Sequence, residues 1–206
     1  MSNVQKDRIL EGAEELFFKA GIRSVTMDEI ARHLGMSKKT IYQYYRDKDD
    51  IVSALVQKKL EEDKEEMCGI GIKSSNVMEE MITMMKHSED FFSRVNPIVI
   101  HDLQKYYPEA WQFFQRFKAD VVIDSMQDIL DRGIVQGYVR EDIDTKAMAR
   151  MRVWQIELGF DNSVFPHNEF NSWKVQLQFL EHFIYGICTA KGHEILNQYK
   201  NILEHN

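Results

Sequence analysis

Residues 26–45 read TMDEIARHLGMSKKTIYQYY, and the order of residue types there dictates two short helices joined by a tight turn. Thr26 stands three residues before Glu29, a spacing in which the hydroxyl accepts from the Glu29 amide while the Glu29 carboxylate reaches back to the Thr26 amide. Val25 and Ile30 flank that pair as an apolar staple. The helix so begun runs from Met27 to Leu34 and stops at Gly35, because a residue without a Cβ tolerates the left-handed backbone that a tight turn needs. Ser37 then caps a third helix, with Met36 and Ile41 in staple positions. Lys38 and Lys39 fall in its first turn, where positive charge opposes the helix dipole. Residues placed against a local preference point to a role outside the helix.

Upstream, Ile9, Ala13, Leu16, Phe17 and Ala20 recur as one buried face of a first helix over 4–20, with Gly21 as its stop. Downstream, Asp47 caps a fourth helix with Asp50 three residues on, and Ile51, Leu55, Val56 and Leu60 give it an apolar face. Its later run EEDKEE is a solvated stretch, after which Gly69 and Gly71 are expected to break the helix. Further on, Asn76 with Glu79 is another capping pair, and Asn96-Pro97 and Pro108 each place a proline at a first helical position, the second before a long helix reaching toward Gly137. Two more helices are expected over roughly 145–161 and 169–190, with a tail helix from about Gly192. No segment alternates as a strand does, and there is no internal repeat. The expected fold class is all-α, an N-terminal three-helix bundle with a helix-turn-helix plus a larger helical domain.

The 206 residues carry a net charge of −7, which on its face opposes a polyanionic partner. The distribution reverses that reading. Residues 1–50 hold nine basic and nine acidic side chains, while 51–206 hold seventeen and twenty-four and supply the whole deficit. Within 32–48, Arg32, Lys38, Lys39, Arg46 and Lys48 stand against Asp47 alone. Such a basic stripe on an acidic chain attracts nucleic acid locally and limits binding elsewhere. No segment nears the ~20 apolar residues of a membrane span, and the N-terminus lacks a secretory apolar run, so a cytoplasmic location and no membrane partner are expected. Cys68 and Cys188 lie far apart without metal-ligand spacing and read as free thiols. With no nucleophile–base pair, phosphate loop or repeated His/Glu spacing, no enzyme activity, cofactor or metal is expected.

The runs TMDEIA at 26–31 and GMSKKTIYQYY at 35–45, with Lys48 beyond, resemble the DNA-binding signature of the TetR family. The resemblance covers about a quarter of the chain. It implies a helix-turn-helix DNA-binding domain at 1–50 and a ligand-binding and dimerisation domain at 51–206. It also implies that Thr26 caps the second helix and touches a phosphate, that Lys38, Lys39, Gln43 and Tyr44 face base edges or the groove, and that Thr40, Tyr42 and Lys48 hold the DNA backbone, with Ser37 at the cap beside them. The chemistry agrees: lysines donate to guanine edges or phosphates, glutamine pairs with adenine, and hydroxyls donate to phosphate oxygens. A plainer use exists for each, the tyrosines as packing of the third helix on the first and the lysines as solubilising surface. Tyr45 departs from the phenylalanine usual in the family, and His33 reads as surface.

For the remainder, the resemblance implies a homodimer on a palindromic double-stranded operator, released by a small and largely apolar effector, so that the protein acts as a repressor. Trp173, Leu177, Leu180, Ile184 and Ile187 recur at spacings of four, three, four and three, and Ala147, Met151, Trp154 and Leu158 form a matching stripe; together they are the expected dimer interface, the plainer use being that both stripes face the protomer's own core. Residues 78–126 are rich in methionine and aromatic side chains, which suit adaptable apolar pockets, and Met81, Met85, His101, Tyr106, Trp111, Phe114 and Phe117 are the candidate ligand contacts. His87 is a further polar handle, and its spacing from His101 makes no metal site.

Overall fold

A computed structural model describes residues 2–94, 97–166 and 168–204. The chain is helical throughout: α1 (Ser2–Ala20), α2 (Met27–Leu34), α3 (Lys38–Tyr42), α4 (Lys48–Lys73), α5 (Val77–Arg94), α6 (Pro97–Tyr106), α7 (Pro108–Phe117), α8 (Ile123–Val135), α9 (Thr145–Phe160), α10 (Ser172–Ile187) and α11 (Ala190–Glu204). Among the described residues the nearest approach to a sheet is an isolated antiparallel bridge between Val139 and Cys188. No helix is long and apolar enough to cross a membrane, and no group of three or more metal-binding side chains gathers, among the described residues. Cys68 is exposed, Cys188 is buried, and both are free thiols.

Two compact units form, one from Met1–Asp63 with Val95–Phe117 and the other from Lys64–Arg94 with Lys118–Asn206. In the first, Ile9, Ala13 and Phe17 of α1 bury against Ile30, Ala31, Ile41 and Tyr45, and Ile51 and Val52 of α4 close the core. Val99 of α6, Tyr107 and Ala110 of α7 belong to the same cluster, so packing does not divide the chain at residue 50. In the second, Val77, Met78 and Met81 of α5, Leu130 of α8, Ala149 and Val153 of α9, and Phe183, Ile184 and Ile187 of α10 form the core, with Leu196 of α11.

Two helix boundaries differ from expectation. Helix α4 runs on through Gly69 and Gly71 to Lys73; a glycine costs only ~1 kcal/mol in a helix interior, too little to end a helix that its other residues support. The long helix expected from Pro108 toward Gly137 is interrupted by a π-helical turn at Lys118–Val122. That turn carries the side chain of Lys118 into the second unit, where it is buried, pairs with Glu157 and lies 4.0 Å from the ring centre of Trp154.

Candidate nucleic-acid interface

The capping chemistry legible in the sequence is formed atom by atom. The Glu29 amide donates to Thr26 Oγ1 at 3.2 Å, and the Thr26 amide donates to Glu29 Oε2 at 2.7 Å. That amide, then the Thr26 hydroxyl, holds the Glu29 carboxyl below its usual range. At the other end of α2, Gly35 adopts φ +63°, and the Gly35 and Met36 amides donate to the carbonyls of Arg32 and Ala31. The chain thereby reverses within three residues and starts α3 at Ser37, whose hydroxyl accepts from the Thr40 amide at 3.0 Å and pairs with the Thr40 hydroxyl at 2.7 Å. Ile41 is the fully buried anchor of α3. Its burial fixes which side of so short a helix turns outward.

On that outward side Lys39, Tyr42 and Gln43 are exposed, and their side chains have no hydrogen-bond partner among the described residues. Lys38 is exposed too but ion-pairs with Asp28 of α2 at 2.9 Å, which pushes its ammonium above the usual lysine range and braces α3 on α2. Asp28 was not singled out in the sequence, because a pair ten residues apart across a turn has no local signature. Thr26 and Ser37 are exposed at the two caps, Thr40 is half-buried at the Ser37 cap, and Arg46 is exposed at the start of α4 beside Asp47. This surface offers unspent donors, one amide able to pair bidentately, and a phenol, along α3 and its two caps: the inventory needed for phosphates and base edges.

Two of the expected contacts are engaged within the protein itself. Tyr44 is half-buried and packs against the first unit's core. Lys48, expected to hold the DNA backbone, instead donates to the carbonyls of Ile22 at 3.0 Å, Arg23 at 3.3 Å and Val25 at 2.8 Å. An ammonium has three protons, and all three are spent on the loop between α1 and α2. Burial lowers its affinity for the proton. The same loop is held from α6: the Arg23 amide donates to the buried carboxylate of Asp102 at 2.9 Å, and the Arg23 guanidinium donates to the Tyr106 hydroxyl at 3.1 Å. Tyr45 packs as expected, its phenol pushed up to about 12 by burial, and His33 is exposed and pairs with Glu15.

The candidate ligand contacts fall in different packing units. Met81 belongs to the second unit's core; His101, Tyr106, Trp111, Phe114 and Phe117 belong to the first. Trp111 and Phe114 stack at 5.1 Å, and His101 is exposed beside Asp102. The Met85 side chain lies outside the described residues. His87 pairs with Glu66 at 3.0 Å.

The expected dimer stripe also divides. Leu180, Ile184 and Ile187 are buried in their own protomer, because the four–three spacing of α10 faces α5 and α9; they are core rather than interface. Trp173 and Leu177 are half-buried. Met151, Trp154 and Leu158 on α9 are exposed at 41%, 56% and 41% and form one apolar stripe by helical spacing.

A family model for bacterial regulatory proteins of the tetR family matches residues 9–55, from α1 into α4. The chain is 33% identical over 111 residues to YvaF, an uncharacterized HTH-type transcriptional regulator of Bacillus subtilis, covering 53% of this chain and 58% of that one. It thus spans a little over half the length of that relative. A TetR family transcriptional regulator from Agrobacterium tumefaciens superposes with a TM-score of 0.74 at 16% identity, over 92% of this chain and 100% of the other. FadR from Bacillus subtilis, solved in complex with stearoyl-CoA, does so with 0.63 at 19%, over 87% and 98%. At such identities the two structures share the fold.

Proposed function

This chain belongs to the TetR family of bacterial regulatory proteins, and on that premise we propose that it is a cytoplasmic transcription regulator, not an enzyme, that binds double-stranded DNA through α3. The observation that carries the reading is the exposed and unpartnered set Lys39, Tyr42 and Gln43, held rigidly by Ile41 below and by the Ser37 and Thr26 caps beside it. A recognition helix presents its N-terminal residues to base edges in the major groove while neighbouring groups hold phosphates. Lys39 and Gln43 read bases or the adjoining phosphates; Tyr42, Lys38 and the cap hydroxyls of Thr26, Ser37 and Thr40 hold the backbone. The DNA-binding role is that of residues 1–50, and residues 51–206 dimerise and sense.

The regulator works as a homodimer on a palindromic operator, since half-sites about 34–36 Å apart need two readers, and as a repressor released by a small molecule. Helix α4 supplies the coupling. Its first residue, Lys48, grips the α1–α2 loop that precedes the reader, and the same helix continues to Lys73. A bound effector that shifts α4 moves that grip, and a coupling of about 1–3 kcal/mol changes DNA affinity 5–150-fold. That FadR of Bacillus subtilis shares the fold and holds stearoyl-CoA supports reading the larger domain as a sensor.

The test is to capture random duplexes on the purified protein and sequence them. A two-fold symmetric consensus is expected, with affinity that falls steeply with salt. Absence of any salt-dependent duplex affinity would sink the proposal.

A further inference from the structure

The second unit keeps a buried cation that nothing around it answers. Arg152 stands on α9 with 4% of its surface exposed, and burial alone pulls its guanidinium down to about 10. Its Nη1 is sealed from solvent without a hydrogen-bond partner, and among the described residues no carboxylate pairs with it. Lys118, also buried in this unit, makes the contrast: its charge is met by Glu157 and by the face of Trp154. Folding keeps an uncompensated buried charge only at a large cost, so the missing anion needs a source.

Two further polar groups share the deficit. Gln155, one helical turn on from Arg152, and Gln176 on α10 each bury a side-chain oxygen with no donor. Gln176 donates its amide to the Ile156 carbonyl at 2.6 Å and lies so close to Gly159 that a Cβ there would sit 2.4 Å from it. Positions 152, 156 and 159 share one side of α9 by helical spacing, so Arg152 is on the α10-facing side. The exposed stripe of Met151, Trp154 and Leu158 is on another. A second copy seated on that stripe therefore does not reach Arg152.

We propose that Arg152, with Gln155 and Gln176 beside it, forms the anchor for an organic acid, whose carboxylate pairs with the guanidinium and whose apolar body lies among the core side chains, the glutamine oxygens accepting from a hydroxyl or amide hydrogen where the acid carries one. This rests on reading the larger domain as the effector sensor, and it names the effector's chemical class: an anion with an apolar body rather than a neutral apolar molecule. Because Nη1 is covered, an acid that reaches it displaces a neighbouring side chain. A ligand of that kind discriminates between two conformations, as a release mechanism requires.

The experiment uses the full chain with benzoate, salicylate and octanoate, each beside its neutral primary amide, read by thermal shift and by calorimetry. At least one carboxylate is expected to raise the melting temperature in a concentration-dependent way with its amide inert, and Arg152→Gln is expected to lose that response. A readout independent of any ligand accompanies it: Arg152→Met, which removes the unpaired charge and keeps the volume, should raise the ligand-free melting temperature by about 2 °C or more. A fall instead marks Arg152 as a structural partner and overturns the proposal, as do amides that match their acids, a carboxylate response that survives in Arg152→Gln, or no response to any of the acids. Wild-type affinity for the captured duplex, measured alongside, separates the two readings: a neutral molecule that releases DNA overturns the acid anchor and leaves the regulator standing, whereas loss of duplex binding itself fails the regulator.

Discussion

The ammonium of Lys48 lies 2.8 Å from the carbonyl oxygen of Val25, the shortest of three bonds by which the first residue of α4 holds the loop between α1 and α2. Charge-assisted bonds to half-shielded carbonyls make this lysine a stabilising clip, and Lys48→Ala should cost about 1–2 kcal/mol, lowering the melting temperature by about 2–6 °C. The salt slope of duplex binding should stay unchanged, because the charge is spent inside the protein. A slope flattened by about one unit would return Lys48 to the phosphate contacts.

Lys39 and Gln43 divide the remaining work. Lys39→Ala should weaken every duplex to a similar degree and flatten the salt slope by about 0.9 if its partner is a phosphate. Gln43→Ala should cost about 1–3 kcal/mol at the preferred site and relax the consensus at one position per half-site. Binding profiles of the two variants against the captured consensus and its single-base changes decide the assignment. An unaltered Gln43→Ala profile removes base reading from Gln43.

Much of this was legible because its causes are local. Thr26 with Glu29, Gly35 at φ +63° and Ser37 with Thr40 act across three or four residues, and sequence shows that range directly. What was not legible depends on distant partners. The bonds of Lys48 span 23 to 26 residues and those of Arg23 to α6 span 79 and 83, and no periodicity announces them. The apolar stripe of α10 has the same spacing whether it faces its own protomer or another, so burial alone assigns Leu180, Ile184 and Ile187 to the core. Arg152 reads as an ordinary helical arginine until its missing partner is seen.

Gly35 turns the reader through left-handed backbone, with nothing within 4 Å of the place a Cβ would occupy. Its replacement is therefore a test of conformation without steric clash. Gly35→Ala should cost about 1–2 kcal/mol, and Gly35→Asn less, since asparagine enters that region more readily. Chemical denaturation of the three proteins checks the order; equal stability of Ala and Gly removes the turn from the argument.

Acid should weaken the cap at the start of α2. The Glu29 carboxyl is held below its ordinary 4.5 by the Thr26 amide first and the Thr26 hydroxyl second. A folded value below the unfolded one means that its contribution is complete above the unfolded range and disappears as the pH falls through the folded value. Melting temperatures followed from about pH 6 to about pH 3 should fall less steeply for Glu29→Gln than for the wild type. Superposable profiles would take Glu29 out of the acid response.

The divided stripe makes dimerisation separable from folding. Trp154 is 56% exposed and Leu158 41%, whereas Ile184 is 2% exposed. If α9 meets a second copy through Met151, Trp154 and Leu158, a charge placed there is unpaired on association and remains solvated in the free protomer. Leu158→Glu should therefore yield a folded monomer by sedimentation, with helical content retained and affinity for the symmetric duplex lost by more than tenfold, the equivalent of about 1.4 kcal/mol. Ile184→Ala should do the reverse, costing about 2–5 kcal/mol of stability through an unfilled cavity while the surviving folded fraction still associates. A Leu158→Glu protein that sediments as a dimer places the contact between copies elsewhere on the second unit.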